Sequence, residues 1–404
     1  MSNAFPLGYH NIHADVSLNF QMNRWFNWVG DAAMLEEMRD AAPRIHTYTD
    51  WQHEFLLLAE KAVAATQNLK AAYYFRAADF FMNSTDPRRA QARTKFVRLV
   101  LDSHGDQVTN HFKIPYVDGT YVGWLPAYRF TPVKPKGVIV FFGGFDSYIE
   151  ELFQLFIHLH DFGYDVIAFE GPGQGGALFD AHLPMTPDWE KPVRAVLDYL
   201  ALDDVTLIGL SLGGCLALRA AAHESRVKRV VAFDILYDFL KCNLRQVPAS
   251  IQGALVALLR CNLDLIVNAL LKSAARKSPV IEWGLQQGMH VTGTKSPADY
   301  LRAVTRYTTA DISARVTQDV LLLAGTQDHF VPVSQLSEQI LALPNARSVT
   351  ARIFTQAESG QNHVQVGNLG LALQVITGWL DQIGAKGPIP SLKPTVTDQP
   401  VSVA

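Results

Sequence analysis

The chain has 404 residues, of which 49% are hydrophobic and 18% charged, the composition of a folded protein rather than a disordered one. Its formal net charge of -3 argues against nucleic acid or an anionic membrane as the main partner, and no apolar run approaches the ~18 residues of a membrane span. Cys215, Cys242 and Cys261 form no C-x-x-C pair, so neither a disulfide framework nor a zinc site is expected; no basic-then-apolar leader is visible, and the expected location is cytoplasmic.

Residues 5–112 read as helical. Apolar residues recur at helical spacing over Asp31 to Asp40 and Trp51 to Ala65. Leu69 to Phe81 is dense in aromatics (Tyr73, Tyr74, Phe75, Phe80, Phe81), and Trp25, Phe26, Trp28 and Trp51 add to them. Such a stripe is core more often than ligand pocket. Ahead of a catalytic core it also suits a lid over an apolar substrate, or the face of a homodimer.

Lys113 to Pro132 changes to a period of two and predicts two strands joined at Val117-Asp118-Gly119-Thr120. Strand and helix then alternate. Strands are predicted over Gly137 to Phe142, Asp165 to Phe169, Val205 to Ile208 and Val227 to Phe233, with helices over Ile149 to Phe162 and Lys191 to Ala201. This is the pattern of an α/β fold with a mostly parallel sheet covered on both faces. From Asp238 to Asp311 the alternation stops. Ala249 to Ala275 reads as a long apolar helical stretch, and Ser296-Pro297 opens another helix with serine as N-cap. A helical insertion over the carboxyl edge of the sheet is expected. Val320 to Ala324 resumes the sheet, Val349 to Phe354 ends it, and Gly370 to Ile383 is the closing helix. The expected units are 1–112, 113–237, 238–311, 312–384 and a flexible, proline-bearing tail, 385–404.

Gly209-Leu210-Ser211-Leu212-Gly213 matches G-x-S-x-G. With glycine near 7% of residues, the bare pattern arises by chance in roughly one chain in ten of this length. Here an apolar strand precedes it and an Ala/Leu-rich helix follows, the context of a nucleophile elbow. A serine hydroxyl needs a base, and the base an orienting acid. Asp328 stands where the apolar strand Val320 to Ala324 runs into a loop, with a turn or N-cap as its plain structural alternative. Asp234, at the end of the preceding strand, is the runner-up acid. His329 adjoins Asp328 in sequence and is expected to point away from it. Of the 13 histidines, His363 alone lies between the last strand and the last helix, on a loop able to reach Ser211. The expected roles are Ser211 as nucleophile, His363 as base and Asp328 as its orienting acid. The oxyanion donors are expected to be the N–H of Leu212 and, from Phe142-Gly143-Gly144-Phe145, that of Phe145. Ser147 to Glu150 reads as a capping box, and Glu170-Gly171-Pro172-Gly173-Gln174-Gly175 as a tight turn near the site.

With these elements the chain resembles the α/β-hydrolase superfamily over about Lys113 to Ile383. More narrowly, Gly143 to Ser147, Glu170 to Gly175, His363-Val364-Gln365-Val366-Gly367-Asn368 and the leading helical region are similar to one branch. That branch holds 2,6-dihydroxypseudooxynicotine hydrolase and the fungal heptaketide hydrolyase of pigment synthesis. Val364 stands where the branch often has cysteine. The resemblance implies an α/β-hydrolase fold with an N-terminal helical region and a helical cap. It also implies cleavage of a C–C bond next to a ketone in an aromatic or polyketide-like small molecule, without cofactor or metal. A carboxylesterase or thioesterase with the same triad is the alternative, and a non-catalytic interaction protein on the same fold is the third reading.

Overall fold

The computed structural model describes residues 5–245 and 247–385. Five helices lead: α1 (Val16–Val29), α2 (Ala32–Ala41), α3 (Tyr48–Ala64), α4 (Asn68–Phe80) and α5 (Pro87–His104). Their starts have local causes. Asp15 accepts the N–H groups of Ser17 and Leu18 at α1, Asp31 caps α2, and Thr47 with Asp50 forms a capping box on α3. The aromatic stripe is core: Trp25, Trp51, Tyr73, Tyr74, Phe75 and Phe80 are all buried.

β1 (Asn110–Asp118) and β2 (Tyr121–Phe130) form an antiparallel hairpin closed at Gly119-Thr120. The alternating part follows as β3 (Val138–Phe142), α6 (Phe153–Asp161), β4 (Asp165–Phe169), α7 (Gly175–Phe179), α8 (Glu190–Tyr199), β5 (Val205–Leu210), α9 (Leu212–Ala221) and β6 (Val227–Phe233). The insertion is α10 (Phe239–Leu244), α11 (Ala249–Arg260), α12 (Asp264–Ala275), α13 (Pro279–Thr292) and α14 (Pro297–Val304). β7 (Asp319–Gly325), α15 (Ser334–Leu341), β8 (Ser348–Phe354) and α16 (Leu369–Ala385) complete the chain. The sheet order is β1-β2-β4-β3-β5-β6-β7-β8. From β4 to β8 all neighbours are parallel, and β2 joins β4 antiparallel.

The central strands are apolar throughout because both faces are covered. Ile139 and Phe141 face a core shared with α1 to α6 and α16; Val140 and Phe142 face the core under α8 and α9. The leading helices are therefore built into one face of the sheet. A third cluster, with Leu255, Val267, Leu271, Leu285 and Tyr300, holds the inserted helices together.

The structure departs from expectation in several places. The stretch from Ala249 to Ala275 is two helices, broken where Asn262 adopts φ 55, a left-handed conformation asparagine tolerates better than most residues. Ile149 to Phe162 begins as a 3-10 turn (Ile149–Leu152) before α6, and the Ser147–Glu150 capping box does not form. Ser147 Oγ instead accepts the N–H of Gly144 at 3.2 Å, and Glu150 accepts the hydroxyl of Tyr128 at 2.8 Å. Ser147 is claimed within its own loop, and Glu150 by a tyrosine that β2 brings from 22 residues away. The sequence also predicts no helix after β4, where α7 lies, or between the last two strands, where α15 lies. Past Ala385, the expected tail 385–404 lies outside the described residues. Among the described residues no helix is long and apolar enough to cross a membrane.

Candidate active site

Ser211 sits between β5 and α9 at φ 60 and ψ -124, a positive φ unusual for a residue with a Cβ. Its backbone is held there: the Ser211 N–H donates to Phe233 O at 2.7 Å, and Ser211 O accepts the Gly214 N–H at 2.8 Å. A Cβ on Gly209 would collide with the carbonyl of Gly213, so the turn requires glycine there. The hydroxyl projects at the N-terminus of α9, where helix N–H groups and the dipole favour developing negative charge.

His363 comes from the loop after β8 and Asp328 from the loop after β7. The structure brings both to Ser211. His363 Nε2 lies 2.8 Å from Ser211 Oγ, and His363 Nδ1 lies 2.6 Å from Asp328 Oδ2. A carboxylate only accepts, so Nδ1 carries the proton and Nε2 is left to accept the Ser211 O–H. Asp328 Oδ1 also accepts the N–H groups of Phe330 (2.7 Å) and Val331 (2.9 Å). Burial opposes the charge on Asp328, yet His363 and these N–H bonds hold its carboxyl below the usual range. Asp234 lies behind the same imidazole, its Oδ2 3.9 Å from His363 Nδ1. Asp328, Asp234 and His363 form the one dense group of potential metal ligands among the described residues. Both imidazole nitrogens are already engaged, however, so the donor set fits a proton relay better than an ion. His329 lines the cavity beside Phe20 and Phe330; burial lowers its pKa to about 4, so it is neutral.

The backbone N–H groups of Leu212 and Phe145 have no hydrogen-bond partner among the described residues. Gly144 lets the two segments meet: a Cβ there would lie 2.7 Å from Leu210 O and 3.0 Å from Leu212 N. The loop is fixed from behind by Gln174, whose amide donates to Gly143 O (2.6 Å) and Gly144 O (3.0 Å) and accepts from Gly171 N–H (3.0 Å). It is fixed from the side by the N-terminal helices. Arg24 Nε donates to Glu151 at 2.7 Å and its Nη1 to Asp146 Oδ1 at 3.2 Å, while Tyr73 OH reaches Glu151 O at 2.8 Å. Sequence reasoning missed these supports. The expected tight turn Glu170 to Gly175 does lie against the site, but the role of Gln174 depends on a fold contact across 30 residues.

In front of Ser211 is a cavity of about 220 Å³. Phe20 and Trp28 from α1, Phe145, Phe239, Leu271 and Trp283 give it a mainly apolar wall. Thus the leading helices and the inserted helices both line it.

Residues 138–352 match the family model described as the alpha/beta hydrolase fold, and the chain belongs to that family. Among curated relatives, the hydrolyase poxO of Penicillium oxalicum is 29% identical over 378 residues, covering 82% of this chain and 88% of its own. The 20-hydroxy-prefusarin hydrolase FUS2 of Gibberella moniliformis is 28% identical over 417 residues, covering 92% and 97%. Among solved structures, 2,6-dihydroxy-pseudo-oxynicotine hydrolase superposes with a TM-score of 0.62 at 22% identity, covering 90% of this chain and 96% of its own, a likeness of fold. These relatives fall in the branch that the sequence motifs resemble.

Proposed function

We propose that the protein is a serine hydrolase that cleaves a C–C bond next to a ketone in an aromatic or polyketide-like small molecule. His363 Nε2 takes the proton of Ser211 Oγ as the oxygen attacks the ketone carbon, and Asp328 stabilises the resulting imidazolium. The N–H groups of Leu212 and Phe145 receive the oxyanion. The tetrahedral adduct then expels the neighbouring carbon as an enolate or aryl carbanion, which takes the proton from His363. Ser211 is left acylated. Water, deprotonated by His363, releases a carboxylic acid and restores the hydroxyl.

The observation that carries this reading is the unbroken relay of 2.6 Å and 2.8 Å from carboxylate to imidazole to hydroxyl, opening on two unused N–H donors. The apolar cavity suits an aromatic or polyketide-like ligand. The hydrolyase and prefusarin hydrolase among the relatives support the same substrate class.

An alkyl fluorophosphonate probe tests the nucleophile: it should label the native protein and not Ser211→Ala. Labelling absent from the native protein, or unchanged in the variant, would end the serine-hydrolase reading. An acyl-phenol ketone and its matched ester, compared by product analysis, then test the bond. Turnover of the ester alone would leave the C–C step without support.

A further inference from the structure

We propose that Asp234 is a positioning residue of the triad, a second acid that clamps the loop carrying His363 and shares one proton with the carboxylate of Asp328. The inference rests on the triad reading above and adds to it an acid pair where a single carboxylate was expected.

Asp234 directly follows β6 and is 1% exposed. Its Oδ1 accepts the N–H of Ile235 at 2.9 Å. Its Oδ2 accepts the N–H of Val364 at 3.2 Å and the side-chain amide of Gln365 at 3.4 Å. Val364 and Gln365 directly follow His363 and both have positive φ, 45 and 53. A β-branched valine resists that conformation, so something must hold it. The carboxyl of Asp234 is placed to do so, and the imidazole is fixed as a result.

The same oxygen is 3.9 Å from His363 Nδ1, which Asp328 Oδ2 engages at 2.6 Å, and one ligand atom from each of the three groups lies within 4.8 Å of the others. Two carboxyl groups this close and this buried do not both ionise near neutral pH. The partners decide which keeps the proton. Asp328 has the imidazole N–H and two backbone N–H groups on its oxygens, and Arg245 Nη1 donates to its carbonyl at 2.8 Å. His329 and Cys242 also face Asp328. Asp234 faces Asp328, His363 and the two N–H donors of the histidine loop, with no cation paired to it. Burial, then the charge of Asp328, pushes its carboxyl well above the usual range. Neutral, it has one O–H to give to Asp328 and still accepts from Val364.

This arrangement makes a non-additive prediction. With Asp328 present, Asp234 needs only its shape and one donor. Remove the charge at 328, and Asp234 is free to ionise and becomes the acid left beside Nδ1. A purely structural clamp has no such dependence.

The experiment is the rate of fluorophosphonate labelling of the full chain, with Ser211→Ala as control. Failure of that control removes the triad reading itself, independently of Asp234. Asp234→Ala should slow labelling by roughly tenfold or more, and Asp234→Asn, which keeps a donor and an acceptor, should recover most of that loss. In the Asp328→Asn background, Asp234→Asn should cost a further factor of roughly ten, against about threefold or less with Asp328 intact. If Asp234→Ala does not fold, the asparagine cycle decides alone. The proposal is overturned if Asp234→Asn costs the same factor in both backgrounds, or is as slow as Asp234→Ala while melting at the native temperature.

Discussion

The guanidinium of Arg76 donates to the backbone carbonyl of Asp146 at 2.5 Å, tying α4 to the loop that carries Phe145. The same group pairs with Asp79 at 2.6 Å and Glu151 at 3.0 Å, and all three side chains are buried. Burial pushes the Asp79 carboxyl above its usual range and Arg76 opposes that push, whereas Glu151 has Arg24 as a second cation, so Asp79 is the group that depends most on Arg76. Arg76→Leu should cost about 3–5 kcal/mol of stability, because it strands a buried charge. Arg76→Lys keeps the charge but presents a point donor where a planar fork serves three partners. It should fold and label more slowly with fluorophosphonate, as the loop carrying Phe145 loses its lateral tie. A folded Arg76→Lys protein that labels at the native rate would separate the N-terminal helices from catalysis.

Gln174 predicts a cleaner kinetic effect. Its amide occupies the carbonyls of Gly143 and Gly144. With those oxygens turned back, the N–H of Phe145 is free. Gln174→Ala should lower kcat on p-nitrophenyl acetate by roughly ten- to a hundredfold, with a smaller change in KM, because the oxyanion role proposed for the Phe145 N–H is exerted mainly in the transition state. Gln174→Glu should be worse than its size suggests, since a carboxylate facing two carbonyls repels both. A rise in KM with kcat unchanged would place Gln174 in ground-state binding instead.

What was legible in the sequence was what local rules write. Buried parallel strands are continuous apolar runs, so Gly137 to Phe142 and Val320 to Ala324 stand out, within a residue of the observed Val138–Phe142 and Asp319–Gly325. Ser211 is marked by the glycines its turn demands, and Asp328 and His363 by their places after strands. The breaks in those rules were not legible. Asn262 interrupts an apolar helical run that periodicity alone joins. Ser147 and Glu150 are spaced as a capping box but satisfied by Gly144 and Tyr128. Arg24, Arg76 and Gln174 act across 30 or more residues, and such contacts leave no motif. Asp234 was visible as a carboxylate at a strand end, while its contact with the left-handed loop after His363 needed coordinates.

Glu170 makes the fold pH-sensitive. Burial first, then the charge of Glu150, raises its pKa to about 8 from an ordinary 4.5. Between those values the folded protein holds a proton that the open chain has released, so stability falls as pH rises through that window. Below about 4.5 this contribution is fully present. The carboxyl accepts the N–H groups of Ile149 and Gly176, and an amide has one acceptor oxygen for the two. Glu170→Gln should therefore lose about 1 kcal/mol at pH 5 but show a much flatter decline towards pH 9. Denaturant midpoints at pH 5, 7 and 9 measure both effects. An unchanged slope in the variant would assign the decline to another group.

Trp283 of α13 joins the inserted helices to the leading ones over the cavity. Its indole N–H donates to Phe80 O at 3.0 Å, and its ring stacks on Phe80 at 5.0 Å and 25°. The same ring forms part of the cavity wall. Trp283→Ala removes a flat apolar surface and the tie between the two lining regions, and should destabilise the protein by about 3 kcal/mol. It should also reduce the preference of kcat/KM for p-nitrophenyl octanoate over acetate by roughly tenfold, since about 1.4 kcal/mol of apolar contact with the longer chain is lost. Trp283→Phe keeps a stacking ring but no N–H, and should retain most of the chain-length preference while losing part of the stability. If Trp283→Ala instead sharpens the preference for the longer chain, the indole limits the depth of the cavity, and the acyl group lies under α13 rather than against it.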